Sequence, residues 1–318
     1  MKKQDVIQIK SLLSSLPANT RLHLITWLND NLQTDTASVI DTSPPELCCP
    51  HCHSEKAIRW GRDSDIQRYR CKDCGKTFNS LTGSPLARLH YHQKWFDYLR
   101  CMQEGLTLRE SARRTGIDLT TAFRWRHRFL ASAAANNINP LSGIIEADET
   151  FFPESSKGKR NIIHRKARKR GGEVDKRKKQ EQVPVVIACD RQGRVSDCIP
   201  PEFDTENIHR FLEPIADKDS ILCTDGASWY RTFASEHGMN HYRLIALDNQ
   251  RVIDSVFHIQ HVNGYISRLK GWMKRFHGVG TAYLPNYLAW RRLFETTVID
   301  VKVWLQIALR HNQHTLQT

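Results

Sequence analysis

The sequence predicts a multidomain protein in which a helical N-terminal segment, a four-cysteine ribbon and a helix-turn-helix precede an α/β domain built on a mixed five-stranded sheet. Three observations predict it. Two Cys-x-x-Cys pairs lie 18 residues apart in the first quarter of the chain. Two helical stretches then meet at Thr115-Gly116. From Leu141 onward, short apolar runs alternate with helical patterns, and two of those runs close on an aspartate, Ile144 to Asp148 and Ile221 to Asp225.

Composition sets the outer bounds. A chain of 318 residues can hold two or three domains. Its hydrophobic content of 40% and aromatic content of 9% belong to a globular protein. The formal net charge of +13 calls for a polyanionic partner. No long apolar run and no signal-like segment is present, so a membrane partner is not expected and a cytoplasmic, nucleoid-associated protein is. Four of the nine cysteines have metal-site spacing, which fits a reducing compartment better than a disulfide framework.

Residues 1–43 read as a helical N-terminal region and linker, the helical part over 1–35, with apolar stripes through Val6, Ile9, Leu13 and Leu16 and through Leu24, Trp27 and Leu28. Thr34 to Glu46, rich in Thr, Ser, Asp and Pro, reads as a linker. Residues 44–88 hold the ribbon. Cys49, Cys52, Cys71 and Cys74 sit on two knuckles whose separation brings four thiolates around one Zn²⁺, and Ile58–Gly61 and Gln67–Arg70 read as its hairpin. Four cysteines leave no open coordination position, so this zinc is structural.

Residues 89–138 contain the helix-turn-helix. Thr107 and Glu110 form a capping box, and Ala112 precedes Gly116 by four, a small residue under a crossing helix followed by a turn that tolerates positive φ. On the next helix Ala122, Trp125 and Phe129 face inward, while Arg124, Arg126 and Arg128 face outward as on a recognition helix in a major groove. A helical hairpin with a solvated basic face would leave the same pattern.

Residues 139–318 form the α/β domain. Strands are expected at Ile144–Asp148, Val183–Asp190, Arg194–Ile199, Ile221–Thr224 and His241–Ala246, with helices over Asp204–Asp217 and Ala227–His237. A hairpin followed by alternating helices and strands suits a sheet of the ribonuclease H type. Asp148 and Asp225, each at a strand end, can hold a divalent metal between them. Glu149, next in line, is expected on the opposite face of the strand and is left out of that metal shell. Between the first two strands, residues 157–179 carry twelve basic residues against two acidic ones, among them Lys166, Arg168, Lys169 and Arg170, a density that would hold a phosphate backbone. A long helix from Phe257 to Phe276 buries Ile259, Val262, Ile266, Leu269, Met273 and Phe276, and places Asn263 and Lys270 together on an adjacent face. His261 could orient the site; a packed or solvated histidine reads the same way.

These residues resemble the zinc-ribbon insertion-sequence transposases of the Asp-Asp-Glu/Asn-Lys type. The likeness runs through CPHC…CKDCGKTF, ADETFF, CTDG and HVNGYISRLKGWMKRFHGVGTAYLPNYLAWRR. It implies a ribonuclease H-like domain holding two Mg²⁺ or Mn²⁺ ions per active site, with Asp148 and Asp225 as the two aspartates. The helix-borne ligand falls on Asn263, seven before Lys270, where Glu is commoner. Asparagine offers a carbonyl oxygen but neither charge nor basicity. The resemblance further implies binding of double-stranded DNA at terminal inverted repeats and target, assembly as a homo-oligomer on DNA, and metal-dependent strand cleavage and transfer. The competing reading is a sequence-specific DNA-binding regulator with an inactive catalytic domain, and Asn263 is the feature that favours it.

Overall fold

The computed structural model describes residues 12–17, 19–21, 23, 36–42, 48–63, 65–135, 139–159, 161–162, 181–244, 252–296 and 300–309. The chain divides into two compact units, residues 1–80 with 91–95, and residues 81–90 with 96–318. Among the described residues no helix is long and apolar enough to cross a membrane.

The first unit is a three-stranded antiparallel ribbon, β1 (Ala57–Asp63), β2 (Ile66–Cys71) and β3 (Thr77–Phe78), in that order. The expected linker is instead partly a helix, α1 (Thr36–Thr42), whose Thr36, Ala37, Val39 and Ile40 are buried. Tertiary packing overrides the turn-rich composition here. Asp41 fastens the helix to the ribbon, accepting from the Gln67 backbone N–H and from Arg62, both at 2.9 Å. Most of the N-terminal apolar stripes lie outside the described residues.

The second unit begins with α2 (Trp95–Gln103, all but its first residue), α3 (Leu108–Thr115) and α4 (Leu119–Ala135). The capping box at Thr107 and Glu110 is present, and Gly116 closes α3 at φ 60°, a left-handed conformation that glycine adopts without strain. The five-stranded sheet follows: β4 (Ile144–Pro153), β5 (Gln182–Asp190), β6 (Val195–Cys198), β7 (Ile221–Thr224) and β8 (Asn240–Arg243). Its spatial order is β6-β5-β4-β7-β8. The β4–β5 and β5–β6 pairs are antiparallel; β4–β7 and β7–β8 are parallel. The sheet is therefore mixed, as predicted.

Strand alternation gives β4 two different faces. Ile145 and Ala147 join a core with Val186, Ala188 and Leu222, covered by Ile208, Phe211 and Leu212 of α5 (Thr205–Leu212) and by Tyr230, Phe233 and Ala234 of α6 (Ser228–Glu236). Each fully buried large apolar side chain in such a layer contributes roughly 1.5–3 kcal/mol. The opposite face of β4 meets α7 (Gln260–Met273), whose buried stripe is Val262, Tyr265, Ile266, Leu269 and Trp272. The helix starts later than predicted and ends in a 3-10 turn, Lys274–Phe276, so Ile259, Met273 and Phe276 are only half-buried and Tyr265 and Trp272 take their places. Two further helices, α8 (Leu284–Thr296) and α9 (Val301–Leu309), pack on α4.

Candidate functional site

Asp148 does not end its strand as expected; β4 runs on to Pro153 along β5. What ends beside it is β7. The parallel register pairs Glu146 with Cys223, and β7 stops one residue later at Thr224. Asp225 follows in the turn to α6, made possible by Gly226 at φ 90° and fixed by the Ala227 N–H donating to Asp225 Oδ1 at 3.0 Å. Because no strand fills the position beyond Thr224, side chains from both faces of β4 reach it. Glu149 lies on the α6 face, as alternation requires, and accepts from Trp229 Nε1 at 2.8 Å. Yet carboxylate oxygens of Asp148, Glu149 and Asp225 lie within 4.8 Å of one another, a set that could hold a metal ion. The sequence reading left Glu149 out because alternation puts it on the opposite face of β4; it does lie there, and its carboxylate still approaches Asp148 and Asp225 beyond the end of β7.

The electrostatics favour a cation there. Burial pushes Asp148 above the usual carboxylate range, and the nearby Asp225 charge adds to it; the Glu149 N–H and the Lys270 ammonium oppose the shift. Burial raises Glu149 too, again with contributions from Asp225 and Asp148. Three crowded carboxylates with two of them displaced upward are short of positive charge, which a divalent ion would supply. Lys270 is exposed on α7, at a distance that lets it act on Asp148. Asn263 is also exposed on α7, near its start.

Residues 140–292, the span that contains this site, match the family model of an ISXO2-like transposase domain. That span is thus similar to the transposase domain of an insertion-sequence family. The chain is also similar to an uncharacterized protein in transposable element ISH50 of Halobacterium salinarum, 26% identical over 291 residues that cover 89% of this chain and 91% of the relative. Two solved structures share 11% identity with this chain. One is a pre-cleavage Mos1 transpososome (TM-score 0.23, covering 67% of this chain and 76% of the other). The second is the Mos1 mariner paired end complex with Mn (TM-score 0.22, 71% and 80%). At these scores the likeness carries no argument.

Sequence reasoning missed a second cluster in the matched span. Glu146, two residues before Asp148 and on its face of β4, is completely buried. Around it stand Arg191, His258 and His261. The one available signal was two acids at i and i+2 in an otherwise apolar strand, which places both on one face.

The ribbon of the first unit gathers its four cysteines. Cys49 Sγ lies 3.7 Å from Cys74 Sγ, and Cys52 Sγ 3.6 Å from Cys71 Sγ. A tetrahedral zinc about 2.3 Å from each sulfur would set them about 3.8 Å apart, so these four thiols could hold one. The two knuckles repeat one backbone pattern: the His53 and Gly75 N–H groups donate to Cys49 O and Cys71 O, while the Cys49 and Cys71 N–H groups donate to Ser54 O and Lys76 O. Backbone N–H groups of Cys74 and Asp73 pull the Cys71 thiol down to about 6, toward the thiolate a metal needs.

One predicted DNA contact is overturned. Arg126 is fully buried, donating to Leu106 O at 2.8 Å and Ser111 Oγ at 3.2 Å, with its guanidinium 4.7 Å from the centre of the Trp290 ring. The helical period gave α4 one buried face, but the helix packs against α3 on one side and α8 and α9 on the other, so the face bearing Arg126 is covered. Arg124 is exposed, as is Arg128, which donates to Ala87 O at 3.3 Å. Lys166, Arg168, Lys169 and Arg170 lie outside the described residues.

Proposed function

We propose that this chain is an active transposase that binds the ends of its element and catalyses metal-dependent cleavage and joining of DNA strands. The observation that carries the reading is the convergence of Asp148 and Asp225 beyond the end of β7, inside the matched transposase domain and within electrostatic reach of Lys270. Asp148 and Asp225, with Glu149 or the carbonyl of Asn263, would hold Mg²⁺ or Mn²⁺. The bound ions would activate an attacking oxygen and stabilise the charge on the leaving 3′-oxygen. Lys270, exposed on α7, would contact a phosphate next to the cut.

DNA binding is assigned to other parts of the chain. The α3–α4 helix pair, with Arg124 and Arg128 exposed, reads the element ends, and the basic run at 157–179 holds the backbone. The ribbon carries a structural zinc. The regulator reading rests on Asn263 alone, since an amide brings no charge to a metal shell.

The test is strand cleavage and joining on a short duplex carrying the inverted repeat that flanks the gene, titrated with Mg²⁺ or Mn²⁺. Asp148→Ala or Asp225→Ala should abolish cleavage and leave end binding intact. Cleavage by Asp148→Ala would overturn the proposal, and a wild-type protein that binds ends without cutting would leave the regulator.

A further inference from the structure

A helix begins with backbone N–H groups that have no partner inside the helix, and these are normally met by a side chain just before it. The residue preceding α7 is Ile259, which offers no acceptor. Two of the N–H groups, those of His261 and Val262, donate instead to Oε2 of Glu146, at 2.8 and 3.0 Å. The cap of this helix thus comes from another element, the strand that bears Asp148.

A carboxylate as deeply buried as Glu146 is costly unless its charge is met. Here Arg191 Nη2 stands 3.0 Å from Oε1, His261 Nδ1 2.9 Å and His258 Nδ1 3.4 Å, and the positive end of the α7 dipole faces the other oxygen. Glu146, His258 and His261 also have the spacing of a metal site. That position is taken by the chain's own cation: Arg191 Nη1 lies 2.8 Å from His258 Nε2 and 2.7 Å from His261 Nδ1, and Nη2 donates to Val256 O at 3.0 Å. The cluster therefore works as a clasp rather than as a second metal centre.

We propose that Glu146 is the positioning residue of this active site: its carboxylate ties the start of α7 to the strand of Asp148 and so sets where Asn263 and Lys270 stand. This inference rests on the metal-dependent reading of the site. Asn263 follows the capped amides directly. Lys270, nine residues past His261, sits roughly 13 Å along the axis, so a small tilt at the capped end moves it appreciably. A misplacement of about 1 Å at a reacting centre can cost about 100-fold in rate.

Glu146→Gln tests it in the full chain, since it keeps the shape and removes the charge that faces both Arg191 and the helix start. The expected result is a fall of about 100-fold in the cleavage rate constant of the folded protein. End-DNA Kd should be unchanged, excess Mg²⁺ should not rescue the rate, and amide exchange should quicken at His261 and Val262. A lowered Tm with an unchanged rate per folded molecule would make Glu146 merely structural and overturn the proposal. In the wild-type protein the His261 and Val262 amides should be as protected as those of β4; free exchange there overturns it even if the variant fails to fold. Asp148→Ala is run alongside. Activity in that variant overturns the metal-dependent reading, whereas an inactive Asp148→Ala beside a fully active Glu146→Gln overturns only the clasp.

Discussion

Trp229 Nε1 donates a hydrogen bond to Glu149 Oε1 across 2.8 Å, from the first turn of α6 to the middle of β4. The bond holds a carboxylate on the far face of the strand turned toward Asp225 and Asp148. It also leaves the other Glu149 oxygen free of the indole.

If Glu149 helps to hold the metal, loosening it weakens metal binding without touching the two aspartates. Trp229→Phe should raise the Mg²⁺ concentration giving half-maximal cleavage by about three- to tenfold, the worth of a hydrogen bond of roughly 1 kcal/mol. An unshifted Mg²⁺ curve in both Trp229→Phe and Glu149→Gln would remove Glu149 from the site.

The raised carboxylates make a stability prediction with a definite sign. A folded-state pKa above the unfolded value means that ionisation opposes folding, so metal-free stability falls as pH rises from the ordinary carboxylate value through the raised one. Near neutral pH, Asp148→Asn should therefore increase metal-free stability while abolishing cleavage. Mg²⁺ should raise the wild-type Tm and have little effect on the variant. Thermal melts with EDTA and with Mg²⁺ decide it, and a destabilised metal-free variant would show that the acids are not in electrostatic conflict.

For the ribbon, one zinc per chain is expected by metal analysis of the purified protein. Cys71→Ser should lose it and unfold the ribbon, because a small sheet with so short a third strand has little apolar area of its own. Zinc retained at one equivalent by a folded Cys71→Ser protein would contradict the four-thiolate assignment.

Arg124 and Arg126 should separate cleanly. Arg126→Ala removes two hydrogen bonds and a ring contact from a fully buried position and should cost about 3 kcal/mol in urea melts. Arg124→Ala should leave stability within about 0.5 kcal/mol and reduce discrimination between end DNA and random duplex. Equal stability of the two variants would show that Arg126 is not buried in solution.

Local patterning determined a large part of this protein. The knuckle spacing defined the thiol cluster, the Thr107–Glu110 box and Gly116 set the limits of α3, and the apolar runs at 144, 183 and 221 located the central strands, because each signal is a short-range consequence of backbone geometry. What the tertiary structure decided is where those elements stop relative to one another. Glu149 enters the acidic cluster only because β7 ends at Thr224, beside a strand that does not. Arg126 is buried because Ser111 of α3 and Trp290 of α8, the latter more than 150 residues later in the chain, close around it. Glu146 finds its partners 45 and more residues away, at Arg191 and at the start of a helix whose N-cap residue, Ile259, offers no side-chain acceptor. A residue's own periodicity reports which face it occupies, but whether that face meets water, a metal or another helix depends on elements remote in sequence, and that information is absent from the local pattern.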